Sequence, residues 1–534
     1  MTIYVAEEFT DSESDILRRY FTNLDGPVFA LVNLPEVVKG ALFARYSRSA
    51  KSLRRLFLDE FVGDLDISGD HDVDATVGLH RAEELYERVF YEYGDDSVAQ
   101  LGGVHLACEQ ASNVLTKILE WGRLASYLEQ STRYIAYDAR LGGRYRYYRD
   151  LAVLTSPLGT RYVGDLDRIF DAYSQLVERV TEHVRASVGR GPGDSEFVYR
   201  QATRAKALDA VRGVLPAGAL SNVGIYGSGQ AYEQLLLRMR AHPLPEARQY
   251  AELMLHELRK VIPSFLRRVD VPERGGAWSD YLATTREATA KVVADLIGDD
   301  EPAPVDEVVL TEWDADGEDK VLAAICYSHS TLPEAQLLEK VRRLGTDERR
   351  SILEAYVGER TNRRHKPGRA FERTGYRFDV LSDYGAFRDL QRHRLLTIEW
   401  QALSPRHGYV RPELVDEAGG RGVFDGAMHR SAALHDVVAE HFPDQAAYTV
   451  AMAYRVRYAM QFNAREAIHL LELRSSSQGH PAYRRIALAM HRQIAERAGH
   501  HAIAAAMQHV TFDAPELERL EAERLAERRR TQTL

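Results

Sequence analysis

Residues 387–394 read FRDLQRHR and residues 463–474 read NAREAIHLLELR, and the order in which these two stretches occur decides the fold. The first reads as a helix ending in Arg392, His393 and Arg394. The second places Ala464, Ile468 and Leu471 on one helical face and leaves Arg465, His469 and Arg474 on the others. Two guanidiniums flanking an imidazole suit a phosphate or an electron-rich ring, because guanidinium donates fork-like hydrogen bonds and keeps its charge. Basic residues also favour the end of a helix, where the dipole is negative, so the triplet carries weight only in combination.

Working outward, the same order of events occurs twice. ALFARYSRS (41–49) is answered by LAAICYSHS (322–330), YGDDSVAQ (93–100) by RHKPGRAFE (364–372), EWGRLASY (120–127) by QRHRLLTI (391–398), and SGQAYEQLLLRM (228–239) by NAREAIHLLELR. Between the copies the helical spacing stops at GDDEPAPVDE (298–307), which is too acidic and proline-rich to continue a helix. The expected organisation is a first repeat over 1–297, a linker over 298–307 and a second repeat over 308–534. Apolar spacing predicts helices over 164–186, 245–266 and 279–297, and the fold class is α+β and helix-rich.

The 534 residues carry a formal net charge of −10, which argues against a protein that holds nucleic acid by bulk electrostatics. Two cysteines, Cys108 and Cys326, allow no disulfide framework and no four-cysteine zinc site. Both lie among apolar neighbours and read as core residues. The start, MTIYVAEEFTDSESD, lacks the basic and apolar parts of an export signal, and no stretch has the apolar length of a membrane span, so a cytoplasmic protein with no membrane partner is expected.

Other signals are weaker. SYLEQSTRY (126–134) sets Glu129, Ser131 and Arg133 at alternate positions, which an extended segment would project to one side. GSGQAY (227–232) lacks a third glycine and follows no evident strand. His500, His501 and His509 have no acidic partner at metal spacing and read as surface or packing residues, so no metal is expected. The run ELERLEAERLAERRR (516–530) reads as a solvated helix.

Taken in order, these segments resemble the flavin-dependent thymidylate synthase family, whose signature is RHR, seven residues, then Ser, followed later by an NAR helix with a further Arg. The likeness covers 26–260 and 321–497, so the chain resembles two tandem copies of that fold. The halves depart from the pattern in complementary ways. In the first, RHR has become Trp121, Gly122 and Arg123 and NAR has become Ser228, Gly229 and Gln230, but Ser131 holds the signature serine position. In the second, RHR and NAR are intact, but Ala402 holds the serine position and Ser404 comes two residues late.

The resemblance implies FAD as cofactor, NADPH and methylenetetrahydrofolate as co-substrates, and deoxyuridylate (dUMP) as the nucleotide that is methylated to thymidylate. It implies flavin contacts from Arg392, His393, Arg394, Asn463, Arg465, Arg474, Arg369 and Glu372, with His365 a loose match to a family histidine. Nucleotide contacts fall on Glu129, Ser131, Arg133 and Arg212. Arg392, Arg465 and Arg474 would carry the reaction by stabilising negative charge. Family members are homotetramers, so a tandem chain is expected to form a homodimer resembling a tetramer and to build one composite site from complementary halves. A relative acting on another pyrimidine nucleotide and a noncatalytic nucleotide- or flavin-binding protein are the alternatives.

Overall fold

The computed structural model describes residues 4–34, 49–60, 103–298, 300–513 and 517–532, with single positions 39, 42, 43 and 46. The repeat segment 93–100 and most of 41–49 lie outside the described residues. Two compact units are present, one comprising Met1–Ser174, Leu215–Pro302 and His429–Val450, the other Gln175–Val214, Ala303–Met428 and Ala451–Leu534.

Among the described residues, each unit holds one four-stranded antiparallel sheet. In the first, β1 (Val28–Leu31), β2 (Gly103–Ser112), β3 (Ser126–Glu129) and β4 (Leu220–Ser228) lie in the order β1-β2-β4-β3. In the second, β5 (Val308–Trp313), β6 (Gly375–Asp383), β7 (Thr397–Trp400) and β8 (Arg455–Asn463) lie in the order β5-β6-β8-β7. The orders are the same, and the pairing of Gly103 with Ser228 matches that of Gly375 with Asn463. The two halves are thus tandem copies of one α+β fold.

The strands follow the period-two rule where one face is covered. Val456, Tyr458, Met460 and Phe462 of β8 are buried while their neighbours are more exposed, and Phe462 stacks on Phe378 of β6 with ring centroids 5.7 Å apart. Both central strands of each sheet end in a residue that caps the next helix, which satisfies one of its free N–H groups. Ser112 caps α1 (Asn113–Leu119), Ser228 caps α2 (Gly229–Arg240), Asp383 caps α5 (Tyr384–Leu390) and Asn463 caps α6 (Ala464–Arg474). GSGQAY therefore does follow a strand: β4 ends at Ser228 and α2 begins at Gly229. Two glycines, Gly224 and Gly227, had hidden it.

In the first unit α2 and α3 (Pro245–Arg259) cover one sheet face, with Leu235, Leu236, Tyr250, Met254 and Leu258 packed on Leu106, Val223 and Ile225. β2 has one residue more than β6, because a bulge between Cys108 and Ala111 places Gln110 at φ 56°. The bulge turns Glu109 toward Tyr4, Tyr46 and the N–H of Leu53, and the Gln110 amide pairs with the backbone of Val5.

The expected helices are present as Gly159–Ser187, α3, which stops at Arg259 ahead of Pro263, and α4 (Ala277–Ile297). In the linker, 301–306 carry no secondary structure and are exposed. Among the described residues no helix is long and apolar enough to cross a membrane.

Candidate active site

The RHR triplet lies just past the end of α5, whose C-cap is Gln391, in the turn leading to β7. It is therefore not the last helical turn that the sequence indicated. This turn brings His393 over α6, where it is buried at 7 % exposure. The Nδ1 of His393 lies 2.9 Å from a Glu466 carboxylate oxygen, and His469 reaches the other oxygen at 3.3 Å. On the far side of the ring, the Nε–H of Arg474 donates to Nε2 of His393 at 3.0 Å.

This pattern fixes the tautomer. An arginine N–H can only donate, so Nε2 accepts and the ring proton sits on Nδ1, facing the carboxylate. Burial, opposed by the Glu466 hydrogen bond and aided by the Arg474 charge, pushes the His393 pKa down to about 4. Burial raises the Glu466 carboxyl, but hydrogen bonds from His393 and His469 outweigh it and hold the group at about 2. At neutral pH the array is a carboxylate, a neutral imidazole and a guanidinium.

The ligand atoms of His393, Glu466 and His469 also lie within 4.8 Å of one another, a spacing that a metal ion could use. The hydrogen bonds favour a polar network instead. Arg474 holds Nε2 as an acceptor, which leaves the proton on the nitrogen that would have to ligate, and its positive charge opposes a cation.

A second group sits at the start of α6. The turn Arg369–Arg373 sets Arg369 against Glu372 at 2.9 Å, and Arg465 donates to the same carboxylate at 3.3 Å and to the carbonyl of Pro367 at 3.0 Å. The Arg369 hydrogen bond holds the Glu372 carboxyl below its ordinary range. Arg369 and Arg394 are exposed and Arg392 is half-buried. Asn463 uses its side-chain oxygen to cap α6, accepting from the N–H of Glu466 at 2.9 Å. His365 lies apart from this group, bonded to Thr361 and Asn362.

Arg212, which sequence order assigns to the first half, belongs to the second unit. It is buried and donates to Asp389 of α5 at 3.1 Å. A Cβ on Gly385 would lie 3.4 Å from its guanidinium, an ordinary contact distance. Burial lowers the Arg474 guanidinium below its ordinary range, and the charge of Asp389 partly opposes this. Two groups of contacts result: Arg212 with Asp389, and Arg474, His393, Glu466 and His469 in series. Arg212 and Asp383 also line a cavity of about 460 Å³, of which the RHR and NAR residues form no part.

Glu129, Ser131 and Arg133 belong to the first unit. β3 ends at Glu129, and Ser131 and Arg133 lie in the following turn, so the three do not share a strand face. Glu129 is buried against Lys117 at 3.2 Å, and Lys117 also holds Glu120 at 2.5 Å. The Ser131 hydroxyl accepts from the backbone N–H of Arg133 at 3.3 Å, and Arg133 is buried.

Sequence reasoning did not find Glu466, Asp389 or the role of His469. The signal was present for two of them: glutamate and histidine three apart share a helix face. Only the turn at 391–396 supplies the partner. His500 is a packing residue, buried between the Tyr376 hydroxyl and the carbonyl of Asp314. Complete burial pushes the Cys108 thiol well above its ordinary range, so it is no nucleophile.

Comparison with known proteins agrees with the duplicated fold. A flavin-dependent thymidylate synthase ThyX from Helicobacter pylori, solved with FAD and dUMP, superposes at a TM-score of 0.26 and 18% identity, covering 35% of this chain and 93% of that one. UPF0159 proteins of Chlamydia muridarum and Chlamydia pneumoniae are 38% and 39% identical, over 97% and 91% of this chain and 98% and 93% of theirs. One from Thermoplasma acidophilum is 31% identical over 91% of this chain and 97% of its own length. The profile of the family described as Thymidylate synthase complementing protein matches residues 44–264 and again 308–498. The chain belongs to that flavin-dependent thymidylate synthase family, as a member with two tandem copies of its domain.

Proposed function

We propose that the protein is a flavin-dependent thymidylate synthase, converting dUMP to thymidylate with methylenetetrahydrofolate and NADPH. The observation that carries this reading is the buried series Arg474, His393, Glu466 and His469 in the second unit of a chain of this family.

The donor chemistry fits FAD. Arg369, Arg392, Arg394 and Arg465 offer planar, permanently charged donors suited to a pyrophosphate, near the N-terminus of a capped helix. FAD would supply the redox chemistry, with NADPH as reductant and methylenetetrahydrofolate as one-carbon donor.

The protein's own part is positioning and electrostatics. His393 has both ring nitrogens engaged and is neutral, so it acts as a spacer that passes the orientation of Glu466 to Arg474 and is not a proton carrier. Arg474, held by His393 and lying over the Tyr483 ring, presents a preset positive charge to a polarised pyrimidine or its phosphate. With Cys108 buried and inert, the reading needs no cysteine thiolate at carbon 6 of uracil.

Ala402, in place of the signature serine, favours a second reading in which another pyrimidine nucleotide is the substrate. The experiment is a product assay with FAD, NADPH and methylenetetrahydrofolate, run with dUMP, uridylate and deoxycytidylate in parallel. Thymidylate from dUMP is the expected product. Methylation of another nucleotide alone selects the second reading, and protein that takes up no FAD overturns both.

A further inference from the structure

Helix α4 (Ala277–Ile297) lies outside both stretches that match the family, between residues 264 and 308. Its first turn is anchored, with the Ser279 hydroxyl donating to the carbonyl of Leu237 at 3.2 Å. Leu282 and Ala283 are half-buried and the Arg286 charge acts on His242, but every residue from Thr284 to Ile297 is exposed. A helix of this length with few tertiary contacts is marginal in water, since nucleation is costly and most helix stability in proteins comes from packing.

The exposed surface is also apolar. Trp278, Tyr281, Val292, Val293, Leu296 and Ile297 are 55 %, 64 %, 54 %, 49 %, 78 % and 65 % exposed. Together they form one apolar strip along the helix, where a standard specific interface takes ~800 Å² from each partner. Their spacing is that of a coiled-coil seam: Trp278, Leu282, Thr285, Thr289, Val292 and Leu296 alternate steps of four and three.

We infer that α4 is a dimerisation helix, whose partner is α4 of a second copy of this chain, packed antiparallel about a two-fold axis. The seam is palindromic. With the axis beside Glu287, Trp278 meets Leu296 of the second copy, Leu282 meets Val292 and Thr285 meets Thr289, so apolar layers face apolar layers and the two threonine layers face each other. An isologous contact requires this self-complementarity. Beside the seam, Tyr281 comes opposite Asp295 of the second copy, where a hydroxyl can donate to a carboxylate. Arg286 comes opposite its own counterpart, a like-charge contact that added salt relieves.

The test uses the full chain in size-exclusion chromatography with light scattering. Wild type is expected to elute as a dimer, and Val292→Glu with Leu296→Glu is expected to raise the dimer dissociation constant at least about a hundredfold. Both side chains are exposed in the single chain, so its circular dichroism spectrum should not change. The orientation is tested by disulfide formation in a Cys326→Ser background. Mixed Thr285→Cys and Thr289→Cys chains should cross-link, and each alone should not. A monomeric wild type, a dimer untouched by the double substitution, or cross-linking of Thr285→Cys chains alone each overturns the inference.

Discussion

The two sheets have the same strand order and the same helix caps, yet the polar groups on them have diverged as a set. Aligned through the caps Ser228 and Asn463, Glu466, His469 and Arg474 stand opposite Ala231, Gln234 and Met239. Aligned through the helix ends Glu120 and Gln391, His393 stands opposite Gly122. A network of buried polar groups is worth having only when every member is satisfied, so loss of one member removes the reason for the others. The fold needed only the caps and the apolar faces, and those remain.

The first half has also filled the vacated space. Arg238 lies over the Trp121 ring, 5.0 Å from its centroid, and a Cβ on Gly122 would come within 2.7 Å of the Tyr127 hydroxyl. Buried charges of the first half include Lys117, Glu120 and Glu129, which pair with one another.

The largest break in the comparison should come from Glu466→Ala. It leaves the Nδ1–H of His393 buried without an acceptor and should cost about 3–4 kcal/mol in chemical denaturation. Gln234→Ala, a change on the matching helix of the other half, should stay within about 0.5 kcal/mol. Equal costs would mean that the network is not the feature that separates the halves.

Acid should expose the same asymmetry. An unfolded histidine takes up a proton near pH 6.5, whereas folded His393 resists until about 4. Its contribution is therefore intact above pH 6.5 and lost as pH falls toward 4, by up to about 3 kcal/mol. Denaturation midpoints measured across that range should fall steeply for wild type and less for His393→Gln. Parallel curves would contradict the buried neutral imidazole.

Arg212→Lys should cost about 1–2 kcal/mol, because an ammonium cannot reproduce the placement of the guanidinium against Asp389. Thermal unfolding checks this, and a shift no larger than that of an exposed arginine, such as Arg394→Lys, would argue against the ion pair. The smallest effect is expected in the first half. Gly122→Ala should cost about 1 kcal/mol through its contact with Tyr127, and adding Tyr127→Phe should recover it.

Much of this was legible in the sequence. The duplicated order of motifs, the helix over 464–474 and its apolar face at Ala464, Ile468 and Leu471 all follow from local spacing. The clustering of Arg369, Glu372 and Arg465 followed from the family resemblance. Local spacing did not reveal β4, whose glycines weaken its strand pattern. It also did not show that Arg212 joins Asp389, 177 residues further along the chain. The His393 to Glu466 contact depends on a turn that aims a side chain across space, and periodicity carries no such information.

Counting flavins tests most directly the proposal that the flavin-binding residues persist in the second half alone. Titrating FAD into the full chain, followed by flavin absorbance and fluorescence, should saturate at one FAD per chain. Arg392→Ala with Arg465→Ala should weaken binding at least about tenfold, while Trp121→Ala with Gln230→Ala should leave it unchanged. Two FAD per chain, or binding lost on changing Trp121 and Gln230, would contradict the account.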